Sequence, residues 1–497
     1  LNILLFGMPD VGNGYPTQML TTPNLGLSSL AANLDKRHRV RIADLVLKRN
    51  GVKGAIQEAL DEAEPSLVGL SAMTFQYKTA LKVAAYIKGQ NPGIKIALGG
   101  YHATLMYEEI AGSPDGAYFD FLFRGEGDLS FNEAVNALEE GTDLKEVDGL
   151  TFKKNGKFIH NRPRELEDLD RIKLPDRNVR LWDDFTLLNV PWDLVEYSRG
   201  CLMSCNFCNI RNMYGRSFRT YKMERVIKDI ERAKQKGTKM LFFVDDNITI
   251  DVEQFENLCD EICINGHNDL IYGVQASSTG IASSESLVKK MAAAGFKYVF
   301  LGIESPSKKS LAELNKGDIL DKSKRAVKYL KDNGFLVAGG YIIGTPEDNY
   351  EDIEETYRFA KSLKTDFSAV QILIPYPKTK IREKLMENGL VVNPDDYEMY
   401  DGGHPIIRTK FLDEKQLFSA RYRYANKYLS VRVFDVFKAL WKFKKQSFPF
   451  IKGALKLVPS ALNSMIFGWT RRLFSSEKKK FDRYVQRVIN LNKFDIE

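Results

Sequence analysis

The sequence predicts an α/β protein made of a doubly wound parallel sheet, then a partial α/β barrel of six strands, then a helical carboxyl-terminal extension. Three observations predict it. Short apolar runs alternate with amphipathic helical stretches over the first 150 residues. The same rhythm returns from Trp192 to about Leu390. Between the two lies a charged, turn-rich stretch with neither period. Strands alternating with helices at this spacing make βαβ units and parallel sheets. With 497 residues, 44% hydrophobic and 28% charged, the chain is globular and long enough for two to four domains.

In the first module the strand candidates are Asn2–Phe6, Arg39–Asp44, Leu67–Ser71, Ile94–Leu98 and Phe121–Phe123. The helices between them include Leu25–Leu34, Val52–Glu62 and Tyr77–Gln90. Residues 151–190 read as a linker, with turn signals at Arg162-Pro163-Arg164 and Leu174-Pro175-Asp176 and a hairpin of Leu150–Lys153 with Phe158–Asn161. The second module, 191–395, has strand candidates Leu194–Ser198, Met240–Asp245, Tyr272–Ala276, Tyr298–Gly302, Leu336–Ile343 and Phe367–Leu373. Residues 396–497 turn helical, aromatic and basic. In both kinds of sheet, ligands gather beyond the carboxyl ends of the strands.

Cysteine usage excludes a disulfide framework. Three of the five cysteines crowd into eight positions, and Cys259 and Cys263 share the apolar face of one helix, which suits a reducing, cytoplasmic compartment and a metal site. The apolar start, Leu1 to Phe6, is too short for a signal peptide, and the missing initiator Met reads as a truncated or processed start. No run is long enough to cross a bilayer. The net charge of +7 is local: residues 431–480 carry twelve Lys or Arg against Asp435 and Glu477, while the rest of the chain holds 60 basic and 63 acidic residues. With Phe434, Phe437, Trp441, Phe443 and Trp469 interleaved, this segment predicts an amphipathic surface for an anionic membrane, or equally one packed on the barrel or a second subunit. No nucleic-acid motif accompanies it. His38, His160 and His267 read as surface residues, and His404 as a turn residue near the end of the barrel.

The chemistry is carried by Cys201-x3-Cys205-x2-Cys208, on a Gly-flanked loop after a predicted strand. Three thiolates at this spacing can wrap a 4Fe-4S cluster and leave one iron open, since no fourth cysteine is near. A zinc site prefers four ligands with paired spacing, and no histidine lies in the loop. Three buried thiols would not be expected on a polar loop.

The motif and the strand ends downstream of it resemble the radical S-adenosylmethionine superfamily. Residues 1–410 are similar to its cobalamin-binding members, which implies a Rossmann-like cobalamin domain ahead of a TIM-type (β/α)6 barrel. The resemblance implies that the open iron chelates the methionine end of S-adenosylmethionine. One-electron reduction, from a donor protein, then yields a 5′-deoxyadenosyl radical. It also assigns residues: Phe207 as the aromatic between the second and third cysteines; Asp245 and Asp246 near the methionine end; Glu304 near the ribose; Gly340 and Gly344 near the adenine; and Cys201, Cys205 and Cys208 on the metal. For cobalamin it points to Ser71 and Thr74 after the third strand, Gly99 and Gly100 after the fourth, and Gly125 after the fifth. Without the resemblance, these glycines fit a nucleotide site or plain βα turns as well.

One departure concerns the lower cobalt ligand. The Asp-x-His-x2-Gly motif is absent, and His102 follows the Gly pair out of the motif position, so a bound cobalamin should lack a histidine lower ligand. The implied activity is methyl transfer to an unactivated carbon of a small-molecule or lipid-like substrate. Oxidative cyclisation or rearrangement, with or without cobalamin, is the alternative within enzymes, and a non-catalytic iron–sulfur sensor is the alternative outside them. A methylthiotransferase would carry extra cluster cysteines in residues 1–200, which hold none.

Overall fold

A computed structural model describes residues 1–11, 21–429 and 494–496. The basic segment 431–480, predicted to bind a membrane surface, lies outside the described residues.

The first sheet is built from β1 (Asn2–Gly7), β2 (Arg39–Asp44), β3 (Leu67–Ser71), β4 (Lys95–Gly99), β5 (Phe121–Phe123), β6 (Leu150–Lys154) and β7 (Lys157–His160). Its order is β2-β1-β3-β4-β5-β6-β7, parallel as far as β5. Helices α1 (Leu25–Asn33), α2 (Val52–Ala63), α3 (Tyr77–Gln90), α4 (Tyr101–Gly112) and α5 (Gly127–Glu140) connect the strands. Because both faces are covered, the strands are apolar throughout rather than alternating, as β1 shows with Ile3, Leu4, Leu5 and Phe6 all buried. The predicted hairpin does form, but it adds to this sheet: β6 runs antiparallel to β5, and Phe152 faces Phe121.

The second sheet contains β8 (Thr186–Leu187), β9 (Val190–Val195), β12 (Met240–Phe243), β13 (Ile271–Ser277), β14 (Phe296–Glu304), β15 (Leu336–Ile343) and β16 (Phe367–Ile372). Between β9 and β12 come β10 (Ser198–Arg199), α6 (Ile210–Tyr214) after the cysteines, β11 (Arg219–Thr220) antiparallel to β10, and α7 (Met223–Gln235). From β9 to β16 the six strands are all parallel, in the order β16-β15-β14-β13-β12-β9. β9 and β16 do not pair, so the barrel is partial and open along one side. One continuous apolar cluster runs through both sheets, from Leu4 and Val68 to Val274, Val337 and Tyr424. Each such buried side chain contributes roughly 1.5–3 kcal/mol. The two modules therefore share a core at their junction.

Three of the four histidines read from the sequence as solvated or incidental are buried for identifiable reasons: His38, His267 and His404, whose Nδ1 lies 3.1 Å from the Asp401 carboxylate. His38, in the basic run Lys36-Arg37-His38-Arg39, places Nε2 2.8 Å from Asn136 and Nδ1 3.3 Å from the Leu1 amino group. His267 sits in the turn after α8 (Val252–Ile264), and its carbonyl accepts from the buried Tyr272 hydroxyl. On α8, Cys259 is fully buried among apolar neighbours, as the helical period predicts.

Candidate functional site

The cysteine loop begins where β9 ends. Gly200 adopts φ +89°, and a Cβ there would sit 2.5 Å from the Ser217 carbonyl, so only glycine turns the chain toward Cys201. The end of the short helix Lys308–Glu313 and the start of the helix Lys380–Glu387 then fasten the loop. The Asn206 amide donates to the Leu314 carbonyl at 3.0 Å, Asn315 Nδ2 to the Ser204 carbonyl at 2.7 Å, and the Ile381 amide to the Asn206 carbonyl at 3.1 Å. Cys201, Cys205 and Cys208 are half-buried on this frame, and Phe207 packs its ring against the core. Burial raises all three thiols, and it pushes Cys208 up to about 12 with Cys205, Asp246 and Cys201 adding to the effect. Loading a metal there must displace protons.

The donor set fits a 4Fe-4S cluster: three thiols sit on one loop, and thiolates are the ligands such a cluster takes. Cys259 and Cys263 are on α8 and supply no fourth ligand.

Asp245 and Asp246 follow β12 and have different surroundings. The Asp245 carboxylate accepts from the Tyr197 amide at 3.3 Å and from the Ser198 amide and hydroxyl, so it holds the loop from beneath. Burial pushes it up to about 7. Asp246 accepts from the Gly200 amide at 3.0 Å, and burial pushes it up to about 6. Its charge is felt at all three of Cys201, Cys208 and Tyr101. Glu304 ends β14 at φ +65°, a strained position for a side chain of its size, and Lys316 Nζ donates to its Oε1 at 2.8 Å. Burial works against the Lys316 charge, but Glu304 and the Cys205 thiol more than offset that and hold it above its ordinary value. Gly340 and Gly344 are explained by packing: a Cβ on Gly340 would meet the Phe300 ring at 2.7 Å, and Gly344, at φ +86°, is covered by Leu417 and Ile407.

At the carboxyl edge of the first sheet, Gly100 adopts φ +93° and Gly125 φ +75°. The Gly125 amide donates to Thr104 Oγ1 at 3.0 Å. Ser71 Oγ accepts from Asn24 Nδ2 at 3.4 Å, Thr74 is buried, and Gly99 is half-buried at the strand end. Met73 between them is 42% exposed. Two buried polar groups here have no partner among the described residues: Asp10 Oδ2, and both ring nitrogens of His102, whose ring lies 4.1 Å from Tyr77 and 4.7 Å from Tyr397. Exposed Met73, the uncrowded Gly125 turn and orphaned polar atoms suit an edge that receives a large ligand.

The two carboxyl edges face each other. Tyr101, directly after Gly100, opens α4, which packs on α6, and it lies within electrostatic reach of Tyr214, Asp246 and Cys208. Tyr376, after β16, is near Cys208 and Asp401. Sequence reasoning missed Tyr101, Tyr376 and Lys316. Adjacency to the Gly pair was the one available signal for Tyr101, and nothing local marks Lys316.

Asp10 supports a test of this edge. Burial pushes its carboxyl up to about 7 from 3.8, against the Thr79 hydroxyl and Arg49, with Glu398 adding to the rise. The folded chain then keeps a proton that the unfolded chain releases. That stability is fully present below pH 3.8 and is lost as pH rises through 7. Asp10→Asn has no proton to lose. In the metal-free protein its melting temperature, relative to wild type, should be higher at pH 8 than at pH 5. Parallel curves would show that the carboxyl is not desolvated.

Comparisons with known proteins agree with this arrangement. The Radical SAM superfamily model matches residues 195–360, and the B12 binding domain model matches residues 19–135. An uncharacterized methyltransferase of Pyrococcus horikoshii is 32% identical over 84% of this chain and 91% of its own length. An anaerobic magnesium-protoporphyrin IX monomethyl ester cyclase of Rubrivivax gelatinosus is 28% identical over 73% of this chain and 65% of its own. The hopanoid C-3 methylase of Methylococcus capsulatus is 24% identical over 80% and 74%. Among solved structures, the radical S-adenosylmethionine methyltransferase TsrM of Kitasatospora setae superposes with TM-score 0.66 at 16% identity, covering 82% of each chain. The cobalamin-dependent radical enzyme OxsB gives 0.67 at 16% identity, covering 98% of this chain and 75% of its own. At such identities the likeness to TsrM and OxsB is one of fold. The chain belongs to the radical S-adenosylmethionine enzymes that carry a B12-binding domain, the family of the Pyrococcus methyltransferase. Membership brings the 4Fe-4S cluster and S-adenosylmethionine of that superfamily, together with a domain for cobalamin.

Proposed function

We propose that this enzyme is a cobalamin-dependent methyltransferase acting on an unactivated carbon of a small-molecule or lipid-like substrate. One observation carries the reading: Tyr101, directly after the glycine turn at the first sheet's ligand edge, opens α4, and α4 packs on α6, which follows the cysteine loop of the second module. A methyl carrier and a radical source would then share one chamber. When bound, the cluster and S-adenosylmethionine supply a carbon-centred radical, and cobalamin supplies a methyl group. The chain's own residues hold and orient them. Cys201, Cys205 and Cys208 ligate the cluster, and Phe207 walls it. Asp246 lies toward the methionine end and Glu304, oriented by Lys316, toward the ribose, with Asp245, Gly340 and Gly344 shaping the backbone beneath. Ser71, Thr74, Gly99, Gly100 and Gly125 line the cobalamin edge. The cyclase relative keeps oxidative cyclisation as the second reading. Anaerobic reconstitution with hydroxocobalamin, followed by transfer from methyl-labelled S-adenosylmethionine, tests the proposal. Retained cobalamin and a labelled carbon product are expected. Failure to retain cobalamin would favour a radical enzyme with a degenerate first domain.

The reading includes a reducing donor protein and a place on the inner face of the cell membrane. Among the described residues no helix is long and apolar enough to cross a membrane. Support for membrane association comes from the twelve Lys or Arg and the aromatics of residues 431–480. Each basic residue near an anionic surface contributes about 1 kcal/mol. At low salt the full chain should sediment with anionic vesicles and stay free of neutral ones, and a chain lacking 431–497 should lose the binding. Equal binding by the shortened chain would remove the membrane, and with it most of the reason to expect a lipid.

A further inference from the structure

Two residues before Cys201, the buried Arg199 side chain gathers carboxylates from both modules. Its Nη1 donates to Asp128 Oδ2 at 2.7 Å and to Glu126 Oε1 at 3.1 Å, and its Nε donates to Glu196 Oε2 at 3.0 Å. Glu126 and Asp128 open α5, directly after Gly125. Arg219, paired with Arg199 in the β10–β11 register, clasps the same Glu126 with both of its terminal nitrogens at 2.9 Å. The outer atoms are fixed in turn. The Tyr221 hydroxyl donates to Glu196 at 2.9 Å, the Glu167 amide donates to Glu126 at 3.2 Å, and Ser29 of α1 donates to Asp128.

Stability alone does not require charges here. Apolar residues fill much of the junction as well, and a buried ion network contributes little net stability relative to such packing. What it adds is direction, because a guanidinium held by several carboxylates accepts few arrangements. We infer that Arg199, Arg219, Glu126 and Asp128 form a positioning clamp that sets the cluster loop against the cobalamin edge. Arg199 is fastened to the cysteine loop through Gly200, whose geometry admits no side chain, and Glu126 to the cobalamin edge through Gly125. Misplacement by about 1 Å between reacting groups can cost on the order of a hundredfold in rate, so the separation needs a rigid device.

The inference rests on the two-cofactor reading of the site, and its test needs no substrate. The wild-type enzyme is loaded with the cluster and hydroxocobalamin and reduced to the paramagnetic cluster and cobalt(II). The dipolar interaction between the two centres then reports their separation. A single narrow distance is expected in wild type. In Asp128→Asn, which keeps the shape and removes one charge, that narrow distance should be lost while iron and cobalamin content stay at wild-type levels. Arg219→Lys, at the wetter rim, keeps its charge and loses the two-pronged grip. It should broaden the distance less, and it carries the test if Asp128→Asn does not load. Wild-type distances in the variants would overturn the clamp. If wild type itself takes up no cobalamin, the two-cofactor reading fails separately. Hydrogen exchange then reads the clamp: faster exchange of 124–128 together with 196–201 in Asp128→Asn supports it, and unchanged exchange overturns it.

Discussion

Replacing Cys205 with alanine should abolish cluster incorporation and cleavage of S-adenosylmethionine together, and Cys201→Ala and Cys208→Ala should do the same. The loop provides three thiolates, and the remaining two cysteines lie on another helix. Removing one leaves two, too few to hold a cubane against exchange with solvent. The rest of the loop should keep its conformation, because its anchors are the Asn206, Asn315 and Ile381 contacts rather than the thiols. Cys259→Ala is the control: it removes a small buried group beside Leu258 and Ile262, costs a modest amount of stability, and leaves iron content and cleavage intact. Iron analysis and product chromatography check both. Full iron and cleavage in Cys205→Ala would remove the metal assignment.

The second large effect is expected at Gly100. Its φ of +93° with ψ of −170° falls in a region that essentially only glycine occupies. An added Cβ would approach the Ala72 carbonyl oxygen to 2.7 Å and the Ala72 amide nitrogen to 3.1 Å, and both are backbone atoms at the end of the neighbouring strand that cannot swing aside. Gly100→Ala should therefore cost about 1–3 kcal/mol from the dihedral, plus the clash. It should also shift the turn carrying Tyr101, so cobalamin retention should drop with stability. Gly89, inside α3, provides the opposite case. Nothing lies within 4 Å of a Cβ built there, so Gly89→Ala should be neutral or stabilising by about 0.4–1 kcal/mol. Thermal melts of both variants and cobalamin content after gel filtration check the pair. Equal melts would mean that the turn at Gly100 relaxes at little cost.

The contrast between these sites shows what a sequence exposes. The cysteine loop stood out because three thiols fall within eight positions and cluster chemistry favours that spacing. The strands were legible because burial on both faces makes them apolar runs, and β2, β3, β5 and β15 have the predicted limits. Contacts between distant positions were not legible. Lys316 reaches Glu304 from a turn twelve residues on, and Arg199 meets Asp128 across 71 positions. Neither pair has a local period or spacing to mark it. His38 misled because three basic neighbours suggest solvent, while the fold turns its ring toward Asn136. Asp245 and Asp246 are adjacent and alike in sequence, yet one supports the Ser198 turn and the other lies beside the thiols, a difference that only the backbone path after β12 decides.

The central claim is that the three cysteines hold a cluster whose open iron meets S-adenosylmethionine. Electron paramagnetic resonance of the anaerobically reconstituted, dithionite-reduced protein tests it most directly, with and without that cofactor. The predicted result is a reduced 4Fe-4S signal whose line shape changes when S-adenosylmethionine is added, and which is absent in Cys205→Ala. A cluster signal indifferent to S-adenosylmethionine would make the protein an iron–sulfur sensor or scaffold. Bound zinc in place of iron would contradict the claim altogether.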